Sequence, residues 1–178
     1  MSIAFLQREP DAADRERWRE ALAVPPPASS KQERLVLFVF RVGTERYGIE
    51  PADIELAAPM PGFHSIPHRG SSLVGVVNVR GTVTLCFSLA DVLGSLPCPA
   101  AERPMMLVLL YGGWRVACRV DEAFGVSEFD RSSLQPTPSS YQASGRTHIQ
   151  GIMPAADGRD VGWLDASSLF EAFDVAAR

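Results

Sequence analysis

Several residue types and patterns are scarce in this chain of 178 residues, and each scarcity excludes a class of protein. Lysine and arginine together number 17 against 21 aspartates and glutamates, so the net charge is -4 and no broad positive surface for nucleic acid is expected. Only three cysteines are present, Cys86, Cys98 and Cys118, and none has the CxxC spacing of a zinc site. We therefore expect neither a disulfide framework nor a structural metal.

Long apolar runs and catalytic motifs are absent as well. No stretch approaches the roughly 18 apolar residues that cross a bilayer, and the first residues, MSIAFLQREPD, lack the apolar core of a signal peptide. We expect a cytoplasmic protein without direct membrane insertion. The chain has no G-x-G-x-x-G, Walker A or G-x-S-x-G motif, and no cofactor is predicted. His64 and His68 flank Pro67 in a loop, which does not favour metal binding.

The order of the chain predicts an N-terminal extension, residues 1–33, followed by one β-rich domain, residues 34–173. Within the extension, residues 11–24 place apolar side chains on one helical stripe, and the proline-rich run 25–33 predicts a linker. The domain alternates short apolar runs with Gly, Pro, Asn and Asp at a spacing typical of an all-β sandwich or barrel. A short C-terminal helix is predicted around residues 166–173.

One pattern occurs twice in the domain. The segments LFVFRVGTERYGI (37–49) and MLVLLYGGWRVAC (106–118) each consist of a strand, a glycine turn and a strand. Each half, about 34–96 and 97–173, holds about five short strands, which suit a small closed barrel with few exposed edges. Duplication and chance similarity between β patterns both remain open. Two barrels side by side would create a groove, and grooves at such junctions are common binding sites.

The stretch GVVNVRGTVTLCFSL, residues 75–89, alternates apolar and polar residues and predicts a hairpin with one buried face. It is too long for an ordinary single strand, so it must turn in its middle. A two-residue loop would interchange the odd and even faces, whereas a three-residue loop would preserve them. Because nearly every odd position is apolar, we predict a three-residue loop, residues 79–81, with Gly81 in the left-handed conformation and Asn78 paired with Thr82.

Arg80 would then stand at the tip of a rigid hairpin, with its donors facing solvent and no acidic residue close to it in the sequence. A guanidinium in that place suits an acidic groove on a partner protein. The alternative is a solvated turn arginine that only keeps the loop soluble, and spacing alone leaves both open. Trp114 and Trp163 leave a similar choice between packing in the core and contacting a partner.

These residues resemble the CheW-like family of coupling proteins in bacterial chemotaxis. The run GVVNVRGTVTLCFSLADVLG is similar to the family's hallmark, in which Asn, an apolar residue and Arg-Gly precede an apolar strand. LFVFRVGTERYGIEPADI resembles its opening hairpin, and LVLLYGGWRVACRVDEAFGV resembles the hairpin of its second half. The resemblance covers residues 34–173 in order. It implies an all-β fold of two SH3-like five-stranded β-barrel subdomains, to which the residue pattern adds a short N-terminal helix and a short C-terminal helix.

By the same resemblance the protein would be a non-catalytic adaptor that joins the cytoplasmic tip of a methyl-accepting chemoreceptor to a CheA-type histidine kinase. The family's functional turn falls on Asn78, Val79, Arg80 and Gly81, and Ile54 matches an apolar position of its receptor groove. We expect these residues to bind partners in receptor arrays at the inner membrane, where the protein could also self-associate. The alternative is a small β-barrel enzyme or ligand-binding protein that uses the groove between the barrels.

Three features depart from the family pattern. Leu56, Ala57 and Ala58 follow Ile54 where charge is common, which implies a more apolar receptor contact. Ser88 stands where an aspartate is usual. The N-terminal extension exceeds the usual short tail, and it could dock on the domain, bind another component of an array or be mobile.

Overall fold

The fold is known from a computed structural model that describes residues 33–66, 72–96, 101, 103–138, 148–155 and 157–177. The strands in these ranges are β1 (Arg34–Val42), β2 (Glu45–Ile49), β3 (Ile54–Pro59), β4 (Phe63–Ser65), β5 (Leu73–Val79), β6 (Thr82–Ser88), β7 (Met105–Tyr111), β8 (Trp114–Val120), β9 (Glu122–Asp130), β10 (Ile149–Met153) and β11 (Val161–Leu164). The helices are α1 (Leu89–Leu93) and α2 (Ala166–Ala177). The helix and linker predicted within the N-terminal extension lie outside the described residues.

The strands form two sheets, and each sheet uses segments from both ends of the domain. Sheet 1 has the order β10-β11-β2-β1-β9, and sheet 2 has the order β3-β7-β8-β6-β5-β4. The neighbours are antiparallel except for β11 with β2 and β6 with β8, which are parallel. The mostly β fold in two parts is confirmed. The parts do not divide near residue 96, however, because β7 and β8 complete sheet 2 while β9, β10 and β11 complete sheet 1.

Each sheet curls around its own apolar cluster without closing. In sheet 2, Leu56 and Ala58 of β3 join a cluster with Val77 and Val79 of β5, although three strands separate β3 from β5. Among the described residues no ladder links β3 to β4 or β5, so the predicted closed five-stranded barrels are not found. The edges explain the difference, since Pro59 of β3 has no N–H to donate and β4 is only three residues long.

Three apolar clusters stabilise the arrangement. The inner cluster of sheet 1 contains Leu35, Leu37, Val39, Met153, Val161 and Trp163, and the inner cluster of sheet 2 contains Val77, Val79, Cys86, Met106, Val108 and Ala117. The shared cluster is the largest and joins both sheets to both helices. In it Phe87 of sheet 2 stacks on Phe173 of α2 with ring centroids 4.7 Å apart. The two sheets therefore have a common core.

The two helices follow directly after strands of the two sheets. The Oγ of Ser88 accepts a hydrogen bond from the N–H of Asp91 (3.3 Å), so this serine caps α1. The helix α2 begins at Ala166 and continues to Ala177, beyond the predicted end. No helix in the described part of the chain is long and apolar enough to cross a membrane.

Cys86 and Cys118 lie on neighbouring strands of sheet 2 but belong to different clusters, one on each face of the sheet. Both are free thiols. Burial raises the pKa of Cys86 to about 11 and raises that of Cys118 well above its ordinary value. Because the thiolate is the reactive form, both cysteines should be inert in the folded protein.

A labelling experiment checks this burial. In a Cys98→Ser variant, which retains only the two buried cysteines, we expect no reaction with a maleimide at about pH 8 in the native state. Both thiols should react after denaturation in guanidinium chloride. Mass spectrometry counts the adducts, and rapid labelling of either thiol in the native protein would contradict the packing of sheet 2.

Candidate functional site

The β5–β6 hairpin turns through two residues, Arg80 and Gly81, because Val79 pairs directly with Thr82. Both turn residues have positive φ, 51° for Arg80 and 88° for Gly81, as in a type I′ turn. The N–H of Gly81 donates a hydrogen bond to Oδ1 of Asn78 (2.8 Å). The predicted three-residue loop was therefore wrong. The twist of a type I′ turn matches that of the strands, and the turn forms although it breaks the apolar alternation.

A two-residue turn interchanges the two faces of the hairpin. On β6 the polar Thr84 and the small Cys86 are buried, at 4% and 0% exposure. The larger apolar residues Val83 and Leu85 are 72% and 37% exposed. Apolar side chains that the alternation would have placed in the core therefore face solvent.

Val83 begins a row of exposed side chains across three strands of sheet 2. Cys86 of β6 pairs with Ala117 of β8, and the same register continued along both strands places Val83 beside Trp114. Trp114 in turn pairs with Tyr111 of β7. Trp114 is 70% exposed and Tyr111 is 40% exposed. We define the exposed apolar patch as Val83, Leu85, Tyr111 and Trp114.

The two tryptophans have different environments. Trp163 is 6% exposed in the inner cluster of sheet 1, and the guanidinium of Arg131 lies 5.9 Å from its ring centroid. Trp163 is thus a core residue. Trp114 belongs to the surface, and an exposed tryptophan among other exposed apolar side chains is typical of a protein interface.

Arg80 lies close to an ion pair that is already complete. Arg115 of β8 donates two hydrogen bonds to Glu55 of β3, one from Nε and one from Nη2, each 2.7 Å long. These bonds, together with the positive charges of Arg115 and Arg80, hold the pKa of Glu55 below its ordinary value. Arg80 makes no ion pair with any residue that the structure describes. The three side chains keep a net positive charge, and Arg80 is the group left to bind an anion.

The backbone of Arg80 is also strained. Its φ of 51° is the one positive value found among described residues other than glycine. The left-handed conformation costs a residue with a side chain about 1–2 kcal/mol, and type I′ turns prefer Asn, Asp or Gly there. Strain of this kind is retained where a side chain serves a function.

The other residues that sequence analysis selected have different positions. Asn78 and Gly81 are exposed and shape the turn, whereas Val79 is only 2% exposed and packs in the inner cluster of sheet 2. Ile54 is half-buried against the shared cluster and pairs with Leu109 of β7. The structure therefore brings Asn78, Arg80 and Gly81 together at the surface and places Val79 beneath them.

A groove of about 640 Å³ lies between the exposed apolar patch and α2. Three of the four patch residues line one side of it. On the other side, the ring of Phe170 in α2 lies 5.7 Å from that of Tyr111, and Glu171 and Asp174 also line the groove. The groove has an apolar floor and an acidic rim on the helix side.

A second cleft, at sheet 1, is polar. Arg41, Arg46 and Arg159 line it. Arg41 pairs with Glu122 at 3.2 Å, and Arg46 pairs with Asp157. Because carboxylates of the protein already neutralise two of the three arginines, this cleft is a weaker candidate for an anionic partner than the Arg80 turn.

The histidines provide no metal or catalytic centre in the described ranges. There, no group of three or more His, Cys, Asp and Glu side chains could hold a metal ion. His64 is exposed on β4, and His68 lies outside the described residues. Nδ1 of His148 lies 2.6 Å from Oγ of Ser168, and burial lowers the pKa of His148. This contact links the start of β10 to α2.

Sequence analysis did not select Val83, Leu85 or Tyr111. The signal for the first two was the glycine of the Arg-Gly pair, because glycine is favoured at the second position of a type I′ turn. Such a turn places Val83 and Leu85 on the outer face. For Tyr111 the sequence gives no comparable local signal.

Comparisons with known proteins agree with this architecture. A family model described as CheW-like domain matches residues 20–174. The probable chemotaxis protein CheW of Rhizobium etli is 25% identical over 141 residues, which cover 79% of this chain and 90% of that protein. The chemotaxis protein CheW of Rhizobium meliloti is 23% identical over 134 residues, which cover 75% and 86%.

A solved structure is similar as well. The scaffolding protein TtCheW from Thermoanaerobacter tengcongensis matches with a TM-score of 0.65 and 21% sequence identity. The match covers 76% of this chain and 92% of that chain. At this identity the likeness concerns the fold alone.

Replacing the strained arginine should stabilise the protein. We expect Arg80→Asn to raise the free energy of unfolding by about 0.5–1 kcal/mol, because asparagine adopts the left-handed conformation more readily. As a control, Gly81→Ala should lower it by about 1 kcal/mol, because φ is 88° there and no atom crowds the position. Urea unfolding measures both, and a destabilised Arg80→Asn variant would show that the arginine supports the fold.

The Glu55–Arg115 pair should stabilise the protein only above acidic pH. The pKa of Glu55 is below its ordinary value of 4.5 in the folded state, so its contribution is present above about pH 4.5 and is lost as the pH falls through the folded-state pKa. We expect Glu55→Gln to be less stable than the parent protein at pH 7, and we expect this difference to shrink as the pH falls below about 4.5. Urea unfolding across this range tests it, and a difference independent of pH would refute the assignment.

Proposed function

The chain belongs to the CheW-like domain family, whose members are non-catalytic scaffolds of chemotaxis signalling, and from that premise we propose that it couples a chemoreceptor to a histidine kinase. The cytoplasmic tip of a methyl-accepting chemoreceptor binds at Arg80 and the exposed apolar patch. A CheA-type kinase binds at a different surface. The protein acts in the cytoplasm, in receptor arrays at the inner membrane. The alternative of a small β-barrel enzyme is not retained, because members of the family do not catalyse reactions.

The observation that carries this proposal is the conformation of Arg80. The arginine has a positive φ, which disfavours it, and it makes no ion pair with the described residues. Asparagine or glycine would fit the turn with less strain. An acidic group on a partner accounts for an arginine here, since charge-assisted hydrogen bonds to a guanidinium are among the stronger polar contacts.

The exposed apolar patch supplies the rest of the contact. Val83 and Trp114 each keep 70% or more of their surface in water, and a partner that covers them removes this area from solvent. An amphipathic helix that lays its apolar face into a groove recognises such a surface. Arg80 at the edge then selects the partner by charge, while the patch provides most of the affinity.

The other four residues that match functional positions of the family also have roles in this proposal. Asn78 and Gly81 hold the turn in the conformation that presents Arg80, and Val79 fixes the hairpin to the inner cluster of sheet 2. Ile54 pairs with Leu109 and continues the apolar face toward β3. The receptor therefore contacts Arg80 and Ile54 directly and depends on the other three indirectly.

Coupling requires a second surface for the kinase. Sheet 1 offers one, because Val36 of β1 and Phe124 and Val126 of β9 are 38%, 42% and 60% exposed. This surface belongs to a different sheet from the exposed apolar patch. Two partners could thus bind at the same time, and repetition of modest interfaces in an array would strengthen the whole assembly.

Charge reversal at the turn tests the receptor site. With a purified receptor cytoplasmic fragment from the same organism, we expect Arg80→Glu to weaken binding by about tenfold or more, and Trp114→Ser to do likewise. Receptor-dependent stimulation of the kinase should be lost in both. Thermal unfolding should change little, because both side chains are exposed.

Arg103→Glu is the matched control, since this arginine is exposed on the segment before β7. It should bind the receptor fragment as the parent protein does. Unchanged receptor binding by both Arg80→Glu and Trp114→Ser would overturn the proposed site.

A further inference from the structure

We propose that the kinase binds the open edge of sheet 1 with an extended segment that forms an additional strand beside β9. In this segment a basic residue lies two positions from an apolar one, and the two side chains meet Glu128 and Val126 respectively. This inference rests on the proposed function, since it concerns the surface of sheet 1 assigned to the kinase. It states how that partner binds and which residues it needs, which exposed area alone leaves open.

The edges of the two described sheets differ in how open they are. β4 is three residues long, and Pro59 ends β3 without an N–H to donate. β10 is partly covered, because its Ile152 exchanges two backbone hydrogen bonds of 2.9 Å with Gln135. β9 has nine residues, and in the described part of the chain it pairs with β1 alone. β9 is therefore the edge most open to another strand.

Part of β9 is regular enough to accept a neighbour. A bulge interrupts its pairing with β1 between Val39 and Phe40, but residues 126–130 pair one to one with residues 34–38. In an antiparallel ladder only alternate residues direct their N–H and C=O groups at a given neighbour. The other backbone groups of residues 126–129 point outward, and no described residue bonds to them. An added strand would satisfy these groups with main-chain hydrogen bonds.

The side chains beside this edge combine apolar surface with a negative charge. Val126 is 60% exposed, and Val36, which pairs with Glu128 across the two strands, is 38% exposed. Nη1 of Arg34 donates a 2.7 Å hydrogen bond to Oε2 of Glu128, and Oε1 has no partner among the described residues. Because a carboxylate accepts several hydrogen bonds, Glu128 can also bind a basic side chain of a partner.

The same side chains disfavour a second copy of this chain as the added strand. Val126, Glu128 and Asp130 alternate along one face of β9. If β9 paired with its own copy over more than one of these positions, a carboxylate would oppose either the valine or another carboxylate. Like charges directly opposite each other destabilise a strand pair. A segment with a basic and an apolar residue two positions apart instead complements Glu128 and Val126 together.

A synthetic peptide tests strand addition on the full-length protein. The peptide alternates threonine and valine over about eight residues and carries a lysine two positions from its first valine. NMR titration gives the dissociation constant, and hydrogen exchange reports on each amide of β9. We expect the bound peptide to slow exchange at alternate residues of 126–129, whose N–H groups point outward. Unchanged exchange at saturating peptide would overturn the inference.

Methylated peptides separate main-chain pairing from contact through side chains alone. Two versions of the peptide carry N-methyl groups at their odd or at their even positions, so each version blocks the N–H groups on one edge of the strand. We expect one version to bind roughly tenfold more weakly than the other, because only one edge faces β9. Equal affinities of the two versions would contradict strand addition.

Charge exchange tests the sequence pattern of the partner. Replacing the lysine of the peptide with glutamate should weaken binding to the parent protein about fivefold. Glu128→Lys should reverse this preference, because the lysine peptide is then the one repelled. Glu50→Lys is the matched control, since this exposed glutamate follows β2 and is not part of β9. It should leave the preference unchanged, and thermal unfolding verifies that both variants are folded.

The outcomes distinguish this inference from the function on which it rests. Val126→Ser should weaken binding of the kinase itself, and Val175→Ser is its control, because Val175 is 74% exposed on α2. If Val126→Ser weakens kinase binding while the two methylated peptides bind equally, the kinase surface stands and the inference is wrong. If Val126→Ser leaves kinase binding unchanged as well, both fail. Slowed exchange at alternate amides together with weakened kinase binding supports both.

Discussion

The two-residue turn between β5 and β6 determines which side chains of sheet 2 meet the core and which meet a partner. With only Arg80 and Gly81 in the turn, the buried positions change from odd on β5 to even on β6. On β6 the polar Thr84 and the small Cys86 are therefore buried, and Val83 and Leu85 are left outside. The surface proposed to bind the receptor follows from this change, because the two-residue turn places Val83 and Leu85 on the outer face of β6.

The same turn combines three features that serve recognition rather than stability. It holds an arginine in a conformation that favours smaller residues, it places that arginine near a carboxylate already bound by Arg115, and it is followed, after Thr82, by the exposed Val83. The hairpin is nevertheless rigid, since Val79 is buried beneath it and Asn78 closes the turn. A turn whose backbone is held in one place loses little entropy when a partner binds.

Local patterns in the sequence predicted the β character, the turn at Arg80 and the helix that begins at Ala166, and the motifs identified the family. They did not predict the length of the turn. An alternating run shows which residues of a strand share a face, but it does not show whether the turn leaves the odd residues of both strands on the same face. They did not predict which strands share a sheet, because the pairs β6–β8 and β2–β11 join distant segments. The apolar groove depends on both, so the sequence indicated Arg80 but not the surface around it.

The exchange of strands between the two sheets has a consequence for synthesis. Within the domain, β1 and β2 leave the ribosome first and belong to the sheet whose other members are β9, β10 and β11, near the opposite end of the domain. The face of β1 that carries Leu35, Leu37 and Val39 packs on Met153, Val161 and Trp163, so it has no permanent partner until β10 and β11 have emerged. Completion of sheet 1 therefore depends on late pairing between segments far apart in the sequence, which is slower than local pairing.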